Sequence, residues 1–314
     1  MATAFIFPGQ GSQSVGMGKS LAETFPAARA VFDEVDAALS QKLSALMWEG
    51  PSEELTLTAN AQPALMAVSL AAIRVLEAEA GLSLARDAAF VAGHSLGEYS
   101  ALAAAGTFSI SDAARLLRIR GDAMQQAVPA GQGAMAALLG VDLDQARAIA
   151  ADSAQGEVCE AANDNGGGQV VLSGAKAAID RAIVLAGERG VRRAMLLPVS
   201  APFHCALMQP AADAMRAALA DVAMQAPVVP VMANVGAGPL SDPDAIRASL
   251  VAQVTGTVRW RECVEAMAAA GVSDFLEVGS GKVLSGLVKR IASGATAATV
   301  GTPEDVTAYK ARQG

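Results

Sequence analysis

Short apolar runs alternate with longer stretches of helical periodicity over most of the chain. The runs of strand length are Ala4–Phe7, Ala88–Ala92, Val228–Ala233 and Phe275–Val278. The helical patterns fill Ala61–Ala80, Leu96–Ala105, Ser111–Ala127, Leu207–Val222, Asp242–Val254 and Glu262–Ala270. Strands separated by helices of this length are typical of a parallel sheet covered on both faces. The pattern therefore predicts an α/β protein with a parallel-sheet body.

The middle of the chain has a different pattern, in which strands and helices follow in the order β-α-β-β-α-β. The predicted elements are Gly133–Leu139, Asp142–Ser153, Val158–Ala162, Gln169–Ser173, Ala175–Arg189 and Arg192–Leu197. This is the order of the ferredoxin-like unit, which can close on itself as a small domain. Pro129 and Pro198 flank it as predicted hinges. We therefore expect a body formed by residues 1–128 and 199–314, with a ferredoxin-like small domain inserted at 129–198.

Composition and charge narrow the classes of function. The net charge of -8 repels nucleic acid, and no basic stripe with interleaved aromatic residues appears, so we expect no nucleic-acid partner. The first residues lack the charged and apolar regions of a signal peptide. The apolar stretch Ala61–Leu76 is interrupted by Gln62 and Arg74 and is too short for a membrane span. We expect a cytoplasmic protein without a membrane partner.

Cysteine and histidine are too few and too scattered for a predicted metal site. The three cysteines, Cys159, Cys205 and Cys263, are widely spaced, no C-x-x-C motif occurs, and the chain has only two histidines. Structural zinc sites need four such ligands at close spacing. We expect free thiols in a reducing compartment and no metal site.

A candidate nucleophile lies in the segment 93–97, which reads Gly-His-Ser-Leu-Gly and fits the pattern G-x-S-x-G. The segment follows a predicted strand and opens a predicted helix, so Ser95 would sit on a sharp turn with its hydroxyl projecting clear of the backbone. The helix N-terminus would supply N–H groups that favour an oxyanion. A chance match in a chain with 30 glycines is the alternative, but the strand and helix on either side favour a nucleophile. The body is thus predicted to be hydrolase-like.

A serine nucleophile needs a base, and histidine is the usual one. His94 adjoins Ser95 on the same tight turn, so its side chain should point away from the hydroxyl. His204, in a loop just after the insert, is left as the candidate base by elimination, although a lone histidine is more often a structural residue. No acid lies on a body loop just ahead of His204, so we expect a Ser–His dyad whose imidazole is oriented by a neutral acceptor. The missing acid weakens the case for a plain hydrolase.

Arg120 lies on the apolar face of a predicted helix. The other residues of that face are Ala113, Leu116, Leu117, Ala123, Met124 and Ala127. An unpaired guanidinium is costly there, and a buried salt bridge to an acid of the body is the structural alternative. The functional interpretation is that Arg120 binds a substrate carboxylate with its planar fork. Such a site would favour a malonyl group over an acetyl group.

The glycine-rich segment 7–13 directly follows the first predicted strand. A phosphate-binding P-loop would need glycine at position 13, where Gln13 stands, and the dinucleotide fingerprint would need glycine at Ser14. Both nucleotide motifs are therefore excluded. The loop is instead expected to border the site and to offer an N–H that completes an oxyanion hole with the N–H of Leu96.

With these residues in place, the chain resembles the malonyl-CoA:acyl carrier protein transacylase family over nearly its whole length. The residues that carry the resemblance are FPGQGSQ (7–13), GHSLGEY (93–99), RIRG (118–121), GAMAA (133–137), LPVS (197–200), FH (203–204), EVGSGKVL (277–284) and Gln253. Thr257 and Ser280 stand where the family often has proline. Both lie in predicted loops away from the proposed chemistry.

The resemblance implies a role for each candidate residue. Ser95 would carry a malonyl ester, His204 would be the base, and Arg120 would hold the free carboxylate. Gln10 and Leu96 would supply the oxyanion-hole N–H groups. It also implies that Gln253 orients the histidine through a main-chain carbonyl, and that Phe203 belongs to the malonyl-type binding site. Malonyl-CoA and acyl carrier protein would be the partners, and coenzyme A would enter as a substrate rather than as a resident cofactor.

Two rival functions stay open at this point. A serine thioesterase or esterase with the same turn would lose the acyl group to water and would not depend on a carrier. A carrier-binding scaffold with a vestigial site would do no chemistry. We expect a monomeric enzyme whose carrier serves fatty acid or polyketide synthesis.

Overall fold

Five parallel strands and one antiparallel edge strand form the main sheet of this computed structural model, which describes residues 2–313. Met1 and Gly314, the two ends of the predicted body, lie outside the described residues. The described strands are β1 (Ala2–Phe7), β2 (Phe90–Gly93), β3 (Gly133–Leu139), β4 (Cys159–Asp164), β5 (Gln169–Ala175), β6 (Arg193–Leu196), β7 (Val231–Ala233), β8 (Gly238–Leu240), β9 (Val272–Val278) and β10 (Thr296–Val300). The main sheet has the order β10-β9-β1-β2-β7-β8.

Helices cover both faces of this sheet and supply most of the large core. The described α-helices are α1 (Lys19–Thr24), α2 (Pro26–Leu39), α3 (Leu43–Glu49), α4 (Ser52–Thr56), α5 (Thr58–Ala80), α6 (Leu84–Asp87), α7 (Gly97–Ala104), α8 (Ile110–Gln126), α9 (Leu143–Ala154), α10 (Lys176–Glu188), α11 (Gln209–Ala220), α12 (Pro243–Thr255), α13 (Trp260–Ala269), α14 (Val283–Ile291) and α15 (Pro303–Gln313). A short 3-10 turn spans Ala206–Met208. The predicted α/β body with a parallel sheet is confirmed.

The sheet departs from the prediction at its edges. Strand β7 begins at Val231 and not at Val228, because Pro230 has no N–H to donate and Val228 is exposed to solvent. Strand β8, which pairs antiparallel with β7, was not predicted, since it has only three residues and contains Pro239. Strand β10 was also missed, because its threonine and alanine residues are only weakly apolar.

The insert forms a separate four-stranded antiparallel sheet with the order β4-β5-β3-β6. Helices α9 and α10 pack on it and bury a small core of their own around Leu138, Leu172 and Ile179. This is the predicted ferredoxin-like arrangement. The domain limits at residues 129 and 198 stay a prediction.

Backbone and side-chain hydrogen bonds join the small sheet to the body. The N–H of Asp164 donates to the carbonyl of Val258 (2.9 Å), and the N–H of Val258 donates to the carbonyl of Ala162 (2.8 Å). The hydroxyl of Thr257 donates to the carbonyl of Ala161 (2.7 Å), a bond that proline could not make. These bonds hold strand β4 against the segment 257–258 of the body. Directly after β4, Asn165 contacts His94 (2.9 Å), the neighbour of the candidate nucleophile.

Helix α5 passes through the centre of the body and packs against α2, α7 and α8. At 23 residues it is the one described helix long and apolar enough to cross a membrane, so our length argument about Ala61–Leu76 was wrong. However, 89% of its apolar window is buried inside the protein, as in a core helix. Its polar residue Gln62 is buried as well and faces the candidate site.

Candidate active site

Ser95 occupies the sharp turn between β2 and α7, as the sequence predicts, with a φ of 54°. The turn needs glycine on both sides. A Cβ on Gly93 would lie 1.9 Å from the carbonyl carbon of Gly97, and one on Gly97 would lie 2.3 Å from the carbonyl oxygen of Phe7. Asn234 secures the turn, because its side chain accepts the N–H of Ser95 (2.8 Å) and donates to the carbonyl of Gly93 (2.8 Å).

The structure brings Ser95 and His204 together. The distance between Ser95 Oγ and His204 Nε2 is 2.7 Å, and His204 Nδ1 lies 2.8 Å from the main-chain carbonyl of Gln253. A carbonyl only accepts, so Nδ1 carries the proton and Nε2 is left to accept the serine hydroxyl. The second histidine, His94, points away and donates from Nε2 to Asn165 Oδ1 (2.9 Å). The imidazole is therefore oriented by a neutral acceptor, as expected.

Burial keeps His204 neutral. The side chain is 3% exposed, and its burial, assisted by the positive charge of Arg120, lowers the pKa of His204 to about 3. Burial also lowers the pKa of His94. At neutral pH both imidazoles are therefore uncharged, and His204 is ready to accept a proton.

Replacing His204 with glutamine is expected to make the protein less sensitive to acid. The folded pKa of His204 lies below its unfolded value of about 6.5. The stability it contributes is therefore present above pH 6.5 and lost as pH falls. Between pH 7 and pH 5 the wild type should lose about 2 kcal/mol more free energy of unfolding than His204→Gln. Urea unfolding at the two pH values measures this difference.

The comparison of the two proteins isolates His204. All other titrating groups, including His94, are common to the wild type and to His204→Gln, so their contributions cancel in the difference. Parallel pH profiles for the two proteins would contradict a folded-state pKa below the usual histidine value.

Arg120 is buried (1% exposed) and faces the serine. Its Nη2 donates to Ser95 Oγ (3.2 Å) and to Gln253 Oε1 (2.9 Å), and its Nη1 donates to Gln62 Oε1 (2.7 Å). Within residues 2–313 no carboxylate lies at salt-bridge distance from Arg120, so the structural alternative of a direct buried ion pair is wrong. Its Nε has no partner among the described residues. The guanidinium therefore retains capacity to bind a further acceptor.

The predicted residues meet at one cavity of about 440 Å³. Those that line it are Gln10, Ser95, Leu96, Arg120, Phe203 and His204. Gln253 lies behind them, is fully buried, and reaches the site through its carbonyl and its amide. The volume suits a small acyl group and part of its carrier arm. A larger depression of about 890 Å³ lies elsewhere and contains none of the seven predicted residues.

Two backbone N–H groups border the serine. No hydrogen bond is made by the N–H of Gln10 or of Leu96 to any residue in the range 2–313. The side chain of Gln10 is held by the hydroxyl of Thr58, which donates to its Oε1 (2.9 Å). Both N–H groups therefore remain available to an oxyanion formed beside Ser95.

Sequence reasoning missed three polar residues that support the site: Gln62, Asn234 and Glu98. Gln62 interrupts an apolar helix, and Asn234 follows directly after the carboxyl end of a strand of the parallel sheet. Both positions are signals that could have been used. Glu98 lies in the first turn of α7 and gives no comparable signal.

A sequence model described as the acyl transferase domain matches residues 4–310 of this chain. The chain belongs to this family. The family resemblance predicted from the sequence is therefore confirmed.

Named relatives are similar to this acyltransferase over nearly its whole length. The malonyl CoA-acyl carrier protein transacylase of Escherichia coli (strain K12) is 47% identical over 305 residues, covering 97% of each chain. Its counterpart from Bacillus subtilis (strain 168) is 45% identical over 304 residues, covering 96% of this chain and 94% of the relative. Both names agree with the predicted class of enzyme, a transferase.

Solved structures share the fold. The acyl-carrier-protein-S-malonyltransferase from Bartonella henselae superimposes with a TM-score of 0.96 at 59% identity, covering 98% of both chains. A malonyl-transacylase in complex with its type II polyketide acyl carrier protein gives a TM-score of 0.96 at 41% identity, covering 99% of this chain and 100% of the other. The predicted α/β fold of the acyltransferase is the fold of these enzymes.

Proposed function

We propose that this acyltransferase moves a malonyl group from malonyl-CoA to the phosphopantetheine thiol of an acyl carrier protein, through a malonyl ester on Ser95. The observation that carries the proposal is a buried arginine without a carboxylate partner, whose Nη2 lies 3.2 Å from Ser95 Oγ. A malonyl group presents a carboxylate two carbon–carbon bonds from its thioester carbon, so both ends can be bound at once. The names of the relatives and the carrier complex support the same substrate and partner.

The mechanism is a two-step exchange. His204 Nε2 takes the proton of Ser95, and the alkoxide attacks the thioester carbon of malonyl-CoA. The N–H groups of Gln10 and Leu96 hold the oxyanion of the tetrahedral intermediate. The C–S bond then breaks, the proton passes from His204 to the sulfur, and free coenzyme A leaves. The carrier thiol attacks the malonyl-serine by the reverse path.

The other site residues orient the reacting groups. The carbonyl of Gln253 holds the imidazole in the tautomer that accepts from the serine, and Phe203 forms an apolar wall of the cavity. No resident metal or cofactor takes part in the proposed steps, because the thioester itself is the activated group. We further propose that the enzyme acts as a cytoplasmic monomer, without nucleic-acid or membrane partners.

Intact-protein mass spectrometry after brief exposure to malonyl-CoA tests the function. We expect one malonyl adduct on the wild type, discharged by the thiol of a holo acyl carrier protein. Acetyl-CoA should give no adduct, because Arg120 would be left without its carboxylate. The adduct should be absent from Ser95→Ala, which we expect to fold like the wild type.

The same experiment separates the two rival functions. Steady release of coenzyme A without an adduct, independent of carrier, would indicate a thioesterase or esterase. Neither adduct nor release would indicate a carrier-binding scaffold. Either result would contradict the proposed malonyl transfer.

A further inference from the structure

A buried carboxyl group lies beneath the nucleophile and takes no part in the mechanism above. Glu98, three residues after Ser95, is 1% exposed. Its Oε2 accepts the N–H of Asn234 (3.0 Å) and the side-chain amide of Gln253 (2.9 Å). No cation in the described part of the chain lies at salt-bridge distance from it. A buried carboxylate without a direct cation is unusual, because its desolvation is costly.

One neutral amide connects this carboxyl group to the arginine of the site. Gln253 accepts from Arg120 Nη2 at its Oε1 (2.9 Å) and donates from its Nε2 to Glu98 Oε2 (2.9 Å). The two buried groups are therefore joined by a single side chain, and neither touches an opposite charge. A direct Arg–Glu pair would be bidentate and would occupy the fork that faces the cavity.

We propose that Glu98 is the counter-charge of Arg120, held one amide away so that the guanidinium stays free for an anionic acyl group. It is a positioning residue that acts through Gln253 and Arg120. Before substrate binds, the negative charge of Glu98 partly offsets the positive charge of Arg120. When substrate enters, the same negative charge repels the substrate carboxylate. This inference rests on the proposed malonyl function. It adds that Glu98, acting through Gln253 and Arg120, lowers the affinity of the site for the substrate carboxylate.

The pKa of Glu98 is that of a buried carboxyl group without a cation in direct contact. Burial raises the pKa of Glu98 to about 7, against the opposing effects of its hydrogen bonds and of Arg120. The other titratable groups facing it are Tyr99 on its own helix and Cys263 on α13, and burial raises the pKa of both. Both groups are therefore neutral, as is His204. At pH 8.5, above the pKa of Glu98, its carboxyl group is ionised, so Arg120 and Glu98 remain as the interacting charges of the site.

Binding of malonyl-CoA to Glu98→Gln tests the proposal. Both proteins also carry Ser95→Ala, so that the ligand binds without reacting. At pH 8.5 calorimetry should show about tenfold tighter binding of malonyl-CoA to Glu98→Gln, because a negative charge roughly 10 Å from the substrate carboxylate has been removed. Acetyl-CoA should bind to both proteins equally. If Glu98 had only a structural role, its replacement would instead weaken the binding of both malonyl-CoA and acetyl-CoA.

Glu277→Gln is the matched control. Glu277 is also a fully buried glutamate with two N–H donors, those of Leu284 and Ser285, and it lies outside the cavity. Its replacement should leave the affinities for malonyl-CoA and for acetyl-CoA unchanged. Equal or weaker malonyl-CoA binding by a folded Glu98→Gln protein would overturn the proposal.

A second measurement needs no change at Glu98. In the Ser95→Ala protein, lowering the pH from 8.5 to 6 protonates Glu98, so malonyl-CoA should bind several-fold more tightly relative to acetyl-CoA. An unchanged ratio of the two affinities would overturn the proposal even if Glu98→Gln did not fold.

Malonyl loading of the wild-type protein distinguishes a failure of the proposed role of Glu98 from a failure of the proposed malonyl transfer. If Ser95 is loaded but the binding prediction fails, only the proposed role of Glu98 is wrong. If no loading occurs, the proposed malonyl transfer and the proposed role of Glu98 are both wrong.

Discussion

Replacing Ser95 with alanine is expected to lower the rate of malonyl transfer by at least about a thousandfold, because no other group can carry the acyl ester. The hydroxyl is the only atom removed, and its partners His204 and Arg120 keep their other hydrogen bonds. The fold should therefore be retained. Steady-state transfer from malonyl-CoA to holo acyl carrier protein measures the loss, and thermal unfolding checks the fold.

Ser100→Ala is the matched control for this loss. Ser100 lies on α7, the helix that follows the turn, is fully buried, and its hydroxyl has no partner among the described residues. Its replacement removes the same kind of atom five residues further along the chain, at a residue that does not line the cavity. It should leave transfer within a few-fold of the wild type. A Ser95→Ala protein that retained a tenth of the wild-type rate would contradict covalent catalysis by Ser95.

Replacing Arg120 with methionine is expected to abolish the preference for malonyl over acetyl groups. The substrate carboxylate would enter a buried site without a cation, which costs about 2–5 kcal/mol for a buried charged pair that loses one partner. The kcat/KM for malonyl-CoA should fall by about two to three orders of magnitude. The value for acetyl-CoA should not fall in parallel. The ratio of the two kcat/KM values is the measurement.

Arg118→Met shows whether this effect is specific to Arg120. Arg118 lies on the same helix, is half-buried, and donates to Asn60 Oδ1 (2.8 Å) and Gln41 Oε1 (2.6 Å) outside the cavity. Its replacement should lower stability without changing the malonyl-to-acetyl ratio. An Arg120→Met enzyme that kept the wild-type ratio would remove the proposed role of Arg120.

The site illustrates which residues a sequence pattern can reveal. Ser95 is found from a local motif, since strand, turn and helix are all encoded within a few residues. Arg120 is found from helical periodicity, because a charge on an apolar face breaks a rule that can be read along the chain. His204 was reached by elimination between two histidines. Each of these arguments needs only neighbouring residues or a simple count.

Other elements were harder to predict. Helix α2 was not predicted, although its buried residues Ala28, Val31, Phe32 and Val35 follow helical spacing. The short helices α3 and α4 carry too few residues for a clear period. Such elements depend on the body they pack against more than on their own propensity. Strand β8 likewise exists only because β7 lies beside it.

From the sequence alone we could derive the α/β class, the ferredoxin-like insert, and the family with its three central candidates, Ser95, His204 and Arg120. How these residues are supported depends on the three-dimensional structure. Gln253 hydrogen-bonds to the serine, histidine, arginine and Glu98 at once, and the nearest of these four residues in the sequence, His204, lies 49 residues away. Periodicity and motifs record local backbone preference. A hydrogen-bond network among distant residues depends on where the whole chain places them.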